Sequence, residues 1–140
     1  MDIKRLKSQL KRHEGLRLKI YSDTEGVPTV GYGRNLRDVG ISRLEAEVLL
    51  DNDINRTLVG LSKALPWLDK LDAVRREAIV NMAFNLGVAG LLGFKTMLAA
   101  LEVSDWEGAA RSVQASKYAK QVGRRAIEIG HMLRHGAYPE

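Results

Sequence analysis

Apolar positions recur at helical spacing along most of this chain, and near its beginning the spacing shortens to that of strands. Ile3, Leu6 and Leu10 form one stripe, which predicts a first helix over residues 2–13. Leu18 and Ile20 then alternate with polar neighbours, and a second short run covers residues 27–32. Residues 14–33 therefore read as a helix end followed by a small glycine-punctuated hairpin, with strands too short to be stable alone. Ser42-Arg43-Leu44-Glu45 has the form of a capping box. It opens a helix reaching about Leu58 that should bury Ala46, Leu49, Leu50 and Ile54.

The remainder reads as helical. Pro66-Trp67 marks a boundary, and Asp72 can cap a helix running to about Asn85. Gly87, Gly90 and Gly93 predict a turn before a helix over residues 94–101. Ser104 or Asp105 can cap the next helix, in which Trp106, Ala109, Ala110 and Val113 share an inward face. Residues 115–123 read as a loop or broken turn, and a last helix spans residues 124–134. No internal repeat or low-complexity tract interrupts this order.

Composition narrows the classes. Apolar residues make up 45% of the 140 and charged residues 28%, a globular balance with enough chain for a core. The chain lacks cysteine, so disulfides and thiolate chemistry are excluded. Its three histidines (13, 131 and 135) have no metal-ligand spacing, and no metal or other cofactor is expected. The basic start is followed by no apolar signal region, and no stretch is apolar enough to span a membrane. The expectation is accumulation in the cytoplasm without stable membrane insertion. A net charge of +5 is concentrated at Lys4, Arg5, Lys7, Lys11 and Arg12 and again towards the end. Positive fields attract anionic polymers, so a nucleic-acid or cell-wall binder is a rival reading. No helix-turn-helix, zinc-finger or RNA-binding signature supports specific nucleic-acid recognition.

The candidate chemistry lies in residues 14–33. Glu14 falls where the first helix stops, Asp23 follows the first strand, and Thr29 lies in the second. Two carboxylates and a hydroxyl on neighbouring rigid elements can protonate a leaving oxygen and activate a water, the requirement of a glycoside hydrolase. Each residue also has a plainer reading: Glu14 as a surface carboxylate, Asp23 as the former of an Asx-turn, and Thr29 as an ordinary strand residue.

The ordered set Glu14-Gly15, Arg17, Tyr21, Asp23, Gly26, Thr29 and Gly31-Tyr32-Gly33 resembles the phage-type lysozymes, the T4-lysozyme-like endolysin muramidases of glycoside hydrolase family 24. The likeness continues through Asp72-Ala73-Val74-Arg75-Arg76, Phe84-Asn85-Leu86-Gly87, Gly93-Phe94, Arg124-Arg125-Ala126 and Arg134-His135-Gly136-Ala137-Tyr138. It implies an α+β, mostly α, single lysozyme-like domain over residues 1–140. A small hairpin lobe would span about 14–58, and a helical lobe would comprise about 1–13 plus 59–140. A cleft between them would have Glu14 at its floor.

The resemblance further implies that Glu14 is the general acid, Asp23 its carboxylate partner and Thr29 the holder of the attacking water. Asn35, Phe94, Ser116 and Arg124 match positions that line the glycan, although an aromatic such as Phe94 is more often core. Arg134 matches the arginine that holds the acid. Arg34 stands where the T4 protein has a histidine paired with an aspartate, and Asp53 occupies the acidic position, so an Arg34–Asp53 ion pair is expected. The implied partners are peptidoglycan glycan strands and a holin-type pore protein for release, acting on a monomer. A lytic transglycosylase attacking the same bond is the enzymatic alternative.

Overall fold

The computed structural model describes all 140 residues, of which 66% are helical. The first helix, α1 (Ile3–Glu14), begins at Asp2, whose carboxylate accepts a hydrogen bond from Arg5 N. Three antiparallel strands follow in the order β1 (Arg17–Ser22), β2 (Pro28–Gly31) and β3 (Arg34–Asn35). Tyr21 pairs with Thr29 and Thr29 with Asn35, while β1 is irregular between Arg17 and Tyr21. Helices α2 (Arg43–Ala64), α3 (Ala73–Leu86), α4 (Val88–Leu92), α5 (Lys95–Glu102), α6 (Trp106–Gln114), α7 (Lys117–Val122) and α8 (Arg124–His135) complete the chain, with a short 3-10 helix at Pro66–Lys70. This is the expected α+β, mostly helical class.

The chain divides into two compact units, Met1–Leu49 and Leu50–Glu140. The main hydrophobic core belongs to the second. Leu61, Ile79, Met82, Leu91, Met97, Leu101, Val113, Ile129 and Leu133 are fully buried there. Helices α6 and α8 approach closely because Gly130 has no side chain: a methyl at that position would lie 2.8 Å from Gln114 Nε2. Three capping signals form as read, and Asp2 adds a cap that the sequence reading did not single out. Asp72 accepts from Arg75 N, Asp105 from Gly108 N, and Ser42 and Glu45 exchange both bonds of the capping box.

Three expectations are corrected. Helix α2 runs past Leu58 to Ala64 and does not bury the anticipated residues: Ala46, Leu49 and Leu50 are exposed, Ile54 is half-buried, and only Leu61 is fully covered. The boundary between the two units falls inside this helix. Residues 115–123 are not a loop but contain α7, which Ser116 caps by accepting from Ala119 N and which Tyr118 anchors by its burial. The Gly87–Gly93 turn contains α4, held by fully buried Leu91.

Candidate active site

In the first unit the sequence brings Glu14 to the last position of α1, where Gly15 ends the helix in a positive-φ conformation and donates its N–H to Lys11 O. The Glu14 carboxylate rests against the end of the hairpin. A methyl built on Gly33 would lie 2.7 Å from Glu14 Oε2 and 3.2 Å from its carboxyl carbon, and Gly33 itself has φ +75°. Gly33 is therefore a seat for the Glu14 carboxylate that a larger residue would fill. We expect Gly33→Ala to cost only about 1–2 kcal/mol of stability, from the left-handed backbone, because the displaced carboxylate is the end of a flexible side chain. With Glu14 in the acid role that the resemblance implies, hydrolysis should fall by more than an order of magnitude, since misplacement by about an ångström costs ~10²-fold. Parallel measurements of thermal unfolding and turnover check this, and wild-type turnover would show that the seat is not needed.

Asp23 and Thr29 meet at one peptide. Asp23 Oδ1 accepts from Glu25 N at 2.8 Å and Val27 N at 2.9 Å, an Asx-type turn that fixes the carboxylate with charge-assisted bonds. The Val27 carbonyl accepts both from Asp23 N at 3.0 Å and from Thr29 Oγ1 at 2.8 Å. The turn-forming reading of Asp23 is thus correct, yet it engages one oxygen only and leaves Oδ2 without a protein partner. Thr29 is 4% exposed, the one polar residue among the buried positions. With its hydrogen directed to Val27 O, its oxygen is left as an acceptor.

The remaining expected residues are placed as follows. Both ends of the Asn35 amide are taken by Asp38, which shapes the turn after β3. Phe94 packs edge-on to Tyr118, with ring centroids 5.7 Å apart, and lies against the core. Ser116 uses its hydroxyl in both directions, donating to Val113 O and capping α7. Arg124 is the exposed one, with only a loose 3.6 Å approach to Glu128. Arg134 donates to Glu107 Oε2 at 2.6 Å and to Gln114 Oε1 at 3.2 Å. Sequence reasoning missed Arg125, which is half-buried, has no ion-pair partner and lines two adjoining depressions of the second unit. Its signal was the Arg124-Arg125 pair after Gly123.

The expected Arg34–Asp53 pair is replaced. Arg34 forms a two-pronged bond to Glu45, Nη1 to Oε1 at 3.0 Å and Nη2 to Oε2 at 2.8 Å, and Nη1 also reaches Gly40 O. Asp53 is instead taken by Arg56, one helical turn away. The physical reason is reach: Glu45 is already presented by the capping box at the start of α2, in the same unit as Arg34.

The Arg34 bonds, joined by those from the Ser42 N–H and hydroxyl, lower the Glu45 pKa to about 2. A carboxylate depressed in the folded state stabilises it above its ordinary pKa, and that contribution fades as pH falls towards the depressed value. We expect wild type to unfold at higher temperature than Glu45→Gln at neutral pH, with the gap closing between about pH 4.5 and about 2. A gap independent of pH would count against the pair.

A depression of about 810 Å³ in the first unit lies on the α2 side of the hairpin between apolar Val39, Ile41, Leu44 and Val48, and Glu14, Asp23 and Thr29 do not line it. No group of three or more His, Cys, Asp and Glu side chains is arranged to hold a metal ion.

The family described as phage lysozyme matches residues 11–134, which include Glu14, Asp23 and Thr29. The chain is 34% identical to the endolysin of Acyrthosiphon pisum secondary endosymbiont phage 1, over 91% of this chain and 88% of that protein. It is 28% identical to probable T4-type lysozyme 1 of Dictyostelium discoideum, over 94% of each. It is also 33% identical to the pre-baseplate central spike protein Gp5 of Enterobacteria phage T4, over 91% of this chain but only 27% of that longer protein. The chain belongs to the phage lysozyme family.

Proposed function

We propose that this lysozyme-type hydrolase cleaves the β-1,4 bond between N-acetylmuramic acid and N-acetylglucosamine in peptidoglycan, acting as an endolysin that lyses the bacterial cell and frees phage. The observation that carries the reading is Val27, whose N–H holds the Asp23 carboxylate and whose carbonyl holds the Thr29 hydroxyl, on the hairpin whose last turn seats Glu14. In this scheme Glu14 gives its proton to the glycosidic oxygen as the C1–O bond breaks. Water attacks C1, and Asp23 receives the proton that water releases. Asp23 Oδ2 and Thr29 Oγ1 are both free acceptors. A water donating one hydrogen to each keeps its lone pairs for the anomeric carbon. Negative charge on Asp23 also stabilises the oxocarbenium-like transition state.

No cofactor takes part. Of the expected glycan-binding residues, Arg124 has unengaged donors to offer a substrate. For Asn35, Phe94 and Ser116 we propose contact through the surfaces they shape, and for Arg134 a supporting role towards the acid. Release of a cytoplasmic monomer to the wall would require a holin-type pore protein.

Mass spectrometry of muropeptides from purified sacculi tests the scheme. Reducing N-acetylmuramic acid ends are expected. Anhydro ends would assign a lytic transglycosylase, reducing N-acetylglucosamine would move the cleaved bond, and intact sacculi would leave a basic wall binder. The identity with the T4 spike protein favours a second reading, a lysozyme carried in a virion. Detection of the chain in purified particles would favour it.

A further inference from the structure

The interval between His131 and His135 becomes a metal-ligand spacing once both residues lie on one helix, which corrects the expectation that the histidines have none. Both belong to α8 in the second unit, four residues and about 40° apart around its axis. Their ring centroids are 4.6 Å apart and the ring planes are inclined at 53°. The core of that unit takes the other side of α8 through Ala126, Ile129, Gly130 and Leu133, so both rings leave the helix away from it. The acids of the neighbourhood are engaged with arginines. On α6, Glu107 meets Arg134 at 2.6 Å and Arg111 at 3.6 Å. The Arg134 hydrogen bond holds the Glu107 pKa below its usual range, and the charges of Arg111 and His135 add to that effect against the opposing influence of burial. Glu128, one turn before His131, approaches Arg124 at 3.6 Å. No third His, Cys, Asp or Glu completes a cage, so the pair is a two-imidazole chelate whose remaining positions fall to water.

We propose that His131 and His135 chelate a divalent transition-metal ion, Cu(II) before Zn(II) or Ni(II), and that the ion clips the last turn of α8. Bonds of about 2.0–2.1 Å from one ion to two imidazoles need donor nitrogens about 3 Å apart. Two rings with centres 4.6 Å apart reach that separation by rotating about their side-chain bonds. Imidazole is the ligand these ions share, whereas magnesium and calcium take oxygen donors. The place also suits a cation, because His135 is the last residue of α8 and lies at the negative end of its dipole. An unfolded chain does not hold the two rings on one face, so binding stabilises the folded second unit. The hydrolytic scheme makes no use of the ion, and neither reading depends on the other.

The test is calorimetric titration of the metal-free full chain with Cu(II), joined to thermal unfolding with and without the ion. A saturable site and a raised unfolding temperature are expected. His131→Gln and His135→Gln should each weaken binding about tenfold or more, because the second imidazole of a chelate acts at high effective concentration. Each should also abolish the rise in unfolding temperature, while His13→Gln, in the first unit, changes neither. Circular dichroism establishes that the variants are folded. A second measurement needs no variant: electron paramagnetic resonance of Cu(II) on the wild-type chain counts the coordinated imidazoles, and two are expected. Absence of saturable binding, binding retained by both single variants, an equal loss in His13→Gln, or a spectrum with one imidazole would each overturn the proposal.

Discussion

Glu14→Gln is expected to reduce hydrolysis of peptidoglycan by ~10²–10⁴-fold, the usual contribution of a positioned proton donor. Glutamine keeps the shape of the side chain against Gly33 and removes the transferable proton. Glu14 is exposed and has no hydrogen-bond or ion-pair partner within its own unit, so the thermal unfolding temperature should stay close to that of wild type. Turbidity clearing of outer-membrane-permeabilised Gram-negative cells, paired with release of reducing ends, reads the loss directly. Equal clearing by both proteins would remove Glu14 from the role of acid. Asp23→Asn makes a useful companion. Its amide oxygen can still accept from Glu25 N and Val27 N, so the turn should persist while the proton acceptor is lost.

The largest stability effect is expected at Arg75, a residue with no part in the chemistry. Its side chain is 11% exposed and makes four contacts at once: Nε to Leu133 O at 2.7 Å, Nη2 to Arg134 O at 3.0 Å, Nη1 to Asp72 at 2.9 Å, and stacking over Trp106 at 3.9 Å. The two carbonyls lie at the end of α8, where the final turn has no helical donors and the helix dipole presents negative charge. Gly136, with φ +64°, leaves room for the guanidinium, since a methyl there would lie 2.8 Å from Nη1.

Burial works to raise the Asp72 pKa, but bonds from the Arg75 side chain and backbone outweigh it and hold the carboxylate below its usual range. Arg75→Ala should destabilise the protein by about 2–4 kcal/mol, leaving two carbonyls without their partner and the Asp72 carboxylate with its backbone bond alone. Arg75→Lys should recover a minority of that, because one ammonium cannot serve three directions. Chemical denaturation measures both, and a cost below about 1 kcal/mol would mean that solvent satisfies the helix end equally well.

These cases separate what could be read along the chain from what could not. Ser42, Asp72 and Asp105 were legible as caps because a cap and its target are a few residues apart and helical geometry alone brings them together. The placement of Glu14 at a helix end and of Asp23 in a turn was legible for the same reason. The short helix α7 had a cap too, at Ser116, but six residues hold helical form only where a side chain such as Tyr118 finds a core, and local pattern does not show that.

Sequence by itself determined the helical stripes, the caps, the glycine-bounded hairpin and the identity of the carboxylates, all consequences of backbone geometry over a few residues. Tertiary structure alone decided which acid Arg34 meets, Glu45 rather than Asp53, and that Asn35 serves a turn. It also decided that Arg75 closes a helix 58 residues away, and that one residue, Val27, joins Asp23 to Thr29. An ionic or hydrogen-bonding side chain has many chemically equivalent partners along a chain, and only proximity in the folded molecule chooses among them.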